Sequence, residues 1–217
     1  AEHTRHDPSG KGSDCMGCHM PEVVYGIMSW HPSHHIRNPD PSHSARYEMP
    51  DACTLCHTGR SLSWAEREAD RMWPGRDRED FPLGPEFDAP EIPRALISGD
   101  AVYRTLAAHA LGRANPPEAE VRTLAQPLLA FTLMDNYPNV RRTAGLSLAA
   151  LSGRHDIPSA HDPETTRRSL WASYLTRTAF AGAPALGWPY LPGGQPNETL
   201  LQTWKAHREE IPFAVGE

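Results

Sequence analysis

Two pentapeptides carry the chemistry of this chain: Cys15-Met16-Gly17-Cys18-His19 and Cys53-Thr54-Leu55-Cys56-His57. Two thiols at this spacing reach the two vinyl groups along one edge of a porphyrin and form thioethers. The imidazole directly after the second thiol is then carried under the ring, where its nitrogen binds the iron. A bare C-x-x-C is also half of a zinc site or a redox dithiol. Neither requires His immediately after the second Cys, and here two copies consume all four cysteines of the chain. The spacing therefore predicts two covalently attached haem c groups, held by Cys15, Cys18, Cys53 and Cys56, with His19 and His57 as the proximal iron ligands.

Each haem iron has a second axial position, and what fills it separates an electron carrier from a catalyst or sensor. Residues 1 to 60 hold eight of the twelve histidines. Distal candidates cluster in His3-Thr4-Arg5-His6, ahead of the first motif, and in Ser33-His34-His35-Ile36-Arg37, between the two. Met28 and Met49 are the rival thioether ligands. An unfilled position would bind or reduce peroxide, nitrite, nitric oxide or hydroxylamine, with His31, His35 or Arg37 donating protons or steadying charge. Arg37, Arg46, Arg60 and Lys11 are placed to pair with haem propionates, since Arg presents a planar fork to carboxylates. Tyr25, Trp30, Tyr47 and Trp64 are candidates to cover porphyrin faces.

The run Cys-x-x-Cys-His-Met-Pro, then Val24-Tyr25-Gly26-Ile27-Met28, His34-His35-Ile36-Arg37 with Pro39 and Pro41, Pro50-Asp51-Ala52-Cys53-Thr54-Leu55-Cys56-His57 and Trp64-Ala65 resembles the paired-haem segment of multihaem c-type cytochromes that continue into helical repeats. His3-Thr4-Arg5-His6 with Ser9 and Gly10 also matches, and the similarity spans about residues 3 to 73. It implies low-spin bis-histidine haems, with His34 as one distal ligand and His3 or His6 as another. Such cytochromes usually carry further C-x-x-C-H motifs upstream. Their absence here suggests a trimmed member, a processed fragment, or a subunit of a haem filament or membrane complex whose haem chain a neighbour completes.

The elements that must position these groups fall into unlike regions. Residues 1 to about 75 are punctuated by Pro, Gly, Ser, Asp and Asn and are too poor in apolar residues to build a core unaided, so they should fold around their haems. Within them 61 to 73 reads as a helix, with a Ser63/Glu66 capping box and a stop at Pro74-Gly75, packing against the second haem. Further helices are expected at 91–98, 100–111, 117–134 (kinked or divided by Pro127), 138–152 and 163–180. Aligning Val102 with Val140 gives a 38-residue offset, close to the period of HEAT-type hairpins. His109 shares a face with Val102 and Leu106 and reads as a packed core histidine. The expected fold class is mainly α: a dihaem cytochrome c domain over 1–75, a HEAT-like helical repeat domain over 76–182, and a Pro/Gly-rich arm with a terminal helix over 183–217.

The chain of 217 residues carries a formal net charge of −6, to which ionised propionates would add. That balance disfavours nucleic acid and anionic lipid and suits a redox partner with a basic docking patch. No stretch approaches a membrane span. Thioether attachment takes place outside the cytoplasm, so the expectation is an exported periplasmic or cell-surface protein. With no nucleophile motif or phosphate loop in view, the chain reads as an electron-transfer protein rather than an enzyme.

Overall fold

The computed structural model describes residues 2–25, 29–82, 84–113, 119–177, 197–206 and 208, and over these the protein is mainly helical. The element order is α1 (Cys15–His19), β1 (Glu22–Tyr25), β2 (Ser29–Pro32), α2 (Pro41–Tyr47), α3 (Leu62–Met72), α4 (Glu91–Ser98), α5 (Ala101–Leu111), α6 (Ala119–Thr132), α7 (Pro138–Ser152), α8 (Glu164–Arg177) and α9 (Glu198–Ala206). The strands pair antiparallel, with Glu22 opposite Pro32 and Val24 opposite Trp30. The Pro- and Gly-punctuated first region thus holds a hairpin that the sequence reading did not anticipate, its strands being only four residues long. The Pro/Gly-rich stretch 183–196 and Met28 lie outside the described residues.

From α4 onward each helix buries an apolar stripe against its neighbours. α4 packs on α5, α5 on α7, α6 on α7 and α8, and α9 returns to cover α4. Ile92, Leu96, Leu106, Leu111, Leu128, Leu129, Leu133 and Leu148 are sealed in one continuous core, which Leu201 and Trp204 of α9 join. Gly112 lets α5 approach α7, because a Cβ there would lie 2.2 Å from the Ser147 hydroxyl.

Three local expectations are corrected. Ser61, in extended conformation, caps α3 by accepting the Trp64 N–H at 3.1 Å, so Ser63 falls inside the first turn rather than at the cap. Pro127 sits inside α6 without dividing it, and Leu124, Ala125, Leu128 and Leu129 are buried around it. Val102 is 52 % exposed whereas Val140 is buried. The inward faces instead match Tyr103 with Val140, Ala107 with Ala144 and Leu111 with Leu148, one residue short of the sequence alignment. That register also aligns Arg104 with Arg141.

Arg104 is fully buried beneath this layer. Its guanidinium donates to the Gly99 carbonyl at 2.7 Å and pairs with Asp135 at 3.0 Å, and Arg208 meets the same carboxylate at 3.0 Å. A second buried ion group forms where α4 meets α5: Arg94 forks onto Glu91, and the Tyr103 hydroxyl donates to Glu91 at 2.8 Å. α4 in turn is tied to the first region, since the Glu91 N–H donates to the Arg60 carbonyl at 2.9 Å.

Candidate haem centre

Each pentapeptide is held by an aspartate just before it. Asp14 caps α1 by accepting the Met16 N–H at 3.2 Å. The second motif forms a turn in which Asp51 accepts the Thr54 N–H at 2.9 Å, while the His57 N–H donates to the Cys53 carbonyl at 2.8 Å. Neither aspartate was singled out from sequence, although Asp ahead of a short turn is an ordinary capping signal. Both turns gather their two cysteines and the following His on a local loop.

The two motifs lie side by side. Burial pushes the Cys18 thiol up, and Cys56 across the gap adds to it. Burial likewise pushes Cys53 well up, with Asp51, Cys18 and Cys56 contributing. The four thiols are unbridged by disulfides. A cavity of about 280 Å³ opens beside Cys18, lined by Arg37, His43 and Asp51 among others. One Asp51 carboxylate oxygen is buried there without a hydrogen-bond partner, and burial raises that acid to about 6.

The histidines are oriented by main-chain carbonyls. Nδ1 of His19 is 2.9 Å from the Arg37 carbonyl, and the Arg37 N–H returns to the His19 carbonyl at 3.0 Å. A carbonyl only accepts, so Nδ1 carries the proton and Nε2 keeps the lone pair a metal needs. His6 is set the same way, with Nδ1 at 2.6 Å from the Thr4 carbonyl.

The amino-terminal segment lays its two histidines over the two proximal ones. His3 stacks on His19 with centroids 6.0 Å apart and planes 11° apart, and His6 faces His57 at 6.2 Å and 36°. Two imidazoles binding one metal from opposite sides, each at about 2.0 Å with about 1.1 Å from nitrogen to ring centre, would have centroids about 6.2 Å apart, and both pairs stand near that separation. Among the described residues no three His, Cys, Asp or Glu side chains converge tightly enough to hold a bare metal ion; a metal carried by a porphyrin would need fewer protein ligands.

The supports come from distant residues. The Trp73 indole N–H, just past α3, donates to the His3 carbonyl at 3.0 Å. Trp64, on the first turn of α3, lies 5.0 Å from the His57 ring, and Arg60 stands 5.5 Å above Trp64. Gly12 leaves room for His6, since a Cβ there would lie 2.5 Å from its ring.

The remaining candidates are placed elsewhere. His34 faces His31 at 5.9 Å and 45°, rather than His19 or His57. Arg46 and His43 both bond Glu79, at 3.0 and 2.9 Å. Arg37 points a guanidinium nitrogen at the Met49 sulfur, 4.0 Å away. Trp30 stacks on His109 at 4.1 Å, so His109 is a half-buried contact of the hairpin and not a core residue. Tyr25 is 71 % exposed and touches His31.

No family model, curated protein or solved structure matches the chain. Among the described residues no helix is long and apolar enough to cross a membrane.

Proposed function

We propose that this chain is a dihaem c-type cytochrome that passes electrons between redox partners through two bis-histidine haems, in the manner of the multihaem cytochromes its first 73 residues resemble. The observation that carries the reading is the pairing of His3 with His19 and of His6 with His57 at the separation a six-coordinate iron requires. A bound haem c would supply a one-electron iron couple. Cys15, Cys18, Cys53 and Cys56 would hold the two rings, and the nearness of Cys18 to Cys56 would bring their thioether edges together. Carbonyls of Arg37 and Thr4 fix imidazole orientation, so little rearrangement accompanies a change of charge. The helices from α4 onward, with their HEAT-like stacking, serve as a scaffold. The net charge of −6 favours a partner with a basic patch, in an exported compartment where thioethers form. With both axial positions filled, no substrate chemistry is needed.

The test is low-temperature electron paramagnetic resonance of the oxidised protein, quantified against total haem. Two low-spin irons are expected, and His3→Ala and His6→Ala should each turn one high-spin. A stoichiometric high-spin iron in the unaltered protein would overturn the carrier and favour a haem enzyme of small oxidants.

A second reading rests on the third imidazole pair. His31 and His34 stand 5.9 Å apart, with no attachment motif of their own. They would suit an iron brought by another segment or subunit of a larger multihaem assembly. Added free haem should then give a third low-spin signal that His34→Ala abolishes; an unchanged spectrum would count against it.

A further inference from the structure

One contact between the hairpin and the helical region is built of charges rather than apolar side chains. Glu22 of β1 receives two partners from the end of α5: His109 Nε2 at 3.4 Å, and the Arg113 guanidinium, which hydrogen bonds the same carboxylate oxygen. His109 is in the last turn of α5 and Arg113 lies just past its Gly112 cap, and both reach the same Glu22 oxygen. The other guanidinium arm of Arg113 points at the Cys56 sulfur, 3.6 Å away. Trp30 of β2 covers the His109 ring at 4.1 Å. The side chains of Glu22, His109 and Arg113 are 30, 22 and 32 % exposed, so protons can exchange with water while the charges remain only partly screened.

We propose that Glu22, His109 and Arg113 form a redox-linked proton site, in which one electron delivered by a redox partner to the haem held by Cys53 and Cys56 is accompanied by one proton taken from water onto His109. The inference rests on the function proposed above, in which Cys56 is a thioether on that haem.

With His109 neutral, the Glu22 carboxylate and the Arg113 guanidinium cancel. With His109 protonated, the cluster carries one net positive charge beside the Cys56 edge. An added electron makes that edge more negative and so favours the protonated cluster. By linkage, the protonated cluster favours the reduced iron. Two further features hold the proton there. His109 lies in the last turn of α5, where the helix end favours a cation. Its hydrogen bond, and the cation beside it, hold the Glu22 carboxyl below its usual range against the opposing effect of burial, so this partner stays ionised. Among the described residues, Glu22 and Arg113 are the charged groups beside His109. The charges on the elements packed against α5 are engaged elsewhere: Glu91 with Arg94 on α4 and Asp135, between α6 and α7, meet Tyr103 and Arg104 at the other end of the helix, and Arg141 of α7 donates to the Asp135 and Asn136 carbonyls. The sign follows. As pH rises through the proton affinity of His109 the cluster loses its net charge, and the potential of the second haem falls.

The experiment is a spectroelectrochemical titration of the intact dihaem protein from pH 5 to pH 9, comparing the unaltered chain with His109→Gln, Glu22→Gln and, as a control, the exposed His161→Gln. One haem should fall in potential across the window in which His109 titrates. A tenfold difference in proton affinity between the two redox states corresponds to about 59 mV for one electron. His109→Gln should abolish this slope, His161→Gln should keep it, and Glu22→Gln should move it to lower pH by weakening proton binding. An identical slope in His109→Gln would overturn the proposal. A high-spin iron would instead overturn the carrier reading itself, and the resonance measurement above tells the two failures apart.

Discussion

The region before α4 and the region after it are held together by different means. From Ala89 on, apolar side chains of α4 to α9 seal one core, to which the first region contributes a single buried residue, Leu55. Before it, the buried apolar residues are small or few, Ala45, Leu62, Ala65 and Ala69, and order comes from hydrogen bonds: aspartates on turns, carbonyls on imidazoles, an indole on the His3 carbonyl. The difference teaches that a region ordered by polar contacts lacks the cohesion that a hydrophobic core supplies elsewhere, and the haems proposed for it would supply that cohesion.

If the proposed haems are bound, removing them should break that contrast open most widely. Cys15→Ala with Cys18→Ala, or the same pair at Cys53 and Cys56, should each halve the covalent haem measured as the pyridine haemochrome. With all four replaced, limited proteolysis should cut the first region while the core formed by α4 to α9 persists. Equal loss of both regions would show that the helices lean on the haem block. The converse is Arg104→Ala, which leaves the buried Asp135 carboxylate with Arg208 as its remaining cation beside the Tyr137 N–H and should lower stability by about 3–5 kcal/mol in denaturant unfolding. Haem content per folded molecule should not change.

Asp51 sharpens the comparison through pH. Burial raises its pKa from 3.8 to about 6, so its contribution to stability is fully present below pH 3.8 and is lost as pH rises through 6. The size is about 3 kcal/mol by linkage. Asp51→Asn keeps the oxygen that accepts from Thr54 and should flatten this part of the pH–stability curve, most visibly as a gain above pH 7. The smallest effect is expected from Gly12→Ala, which crowds the His6 ring by the Cβ placed 2.5 Å from it. A minor high-spin fraction at the haem of His57 should appear in the resonance spectrum with the melting temperature almost unmoved.

Much of the helical region was legible because its apolar residues recur at helical spacing between clear stops: the spans expected at 91–98 and 138–152 coincide with α4 and α7. Register was less legible. Val-x-Arg looks alike at Val102 and Val140, yet packing of α5 against α4 and α7, and of α7 against α5 and α6, decides which residue turns inward. At the candidate haem centre the two motifs and the candidate set of histidines could be read from residue types alone. Their pairing could not, since His3, His6 and His34 are chemically equivalent and differ only in where the chain carries them. His109 was misjudged for the same reason: periodicity gave its face on α5, while its neighbours Glu22 and Trp30 come from a hairpin some eighty residues earlier.

The sequence by itself determined which groups this protein brings to a cofactor, because two thiols and an imidazole in five residues act through covalent geometry that local chain connectivity already imposes. It also determined that the second region is helical, because apolar spacing is a local property. Tertiary structure decided which imidazole faces which, through the Trp73 contact to His3 and the space above Gly12. It also decided that Arg113 and His109 meet Glu22 beside Cys56. Those are meetings of residues far apart along the chain, fixed by the packing of α3 and α5 against the first region and by nothing in the local sequence.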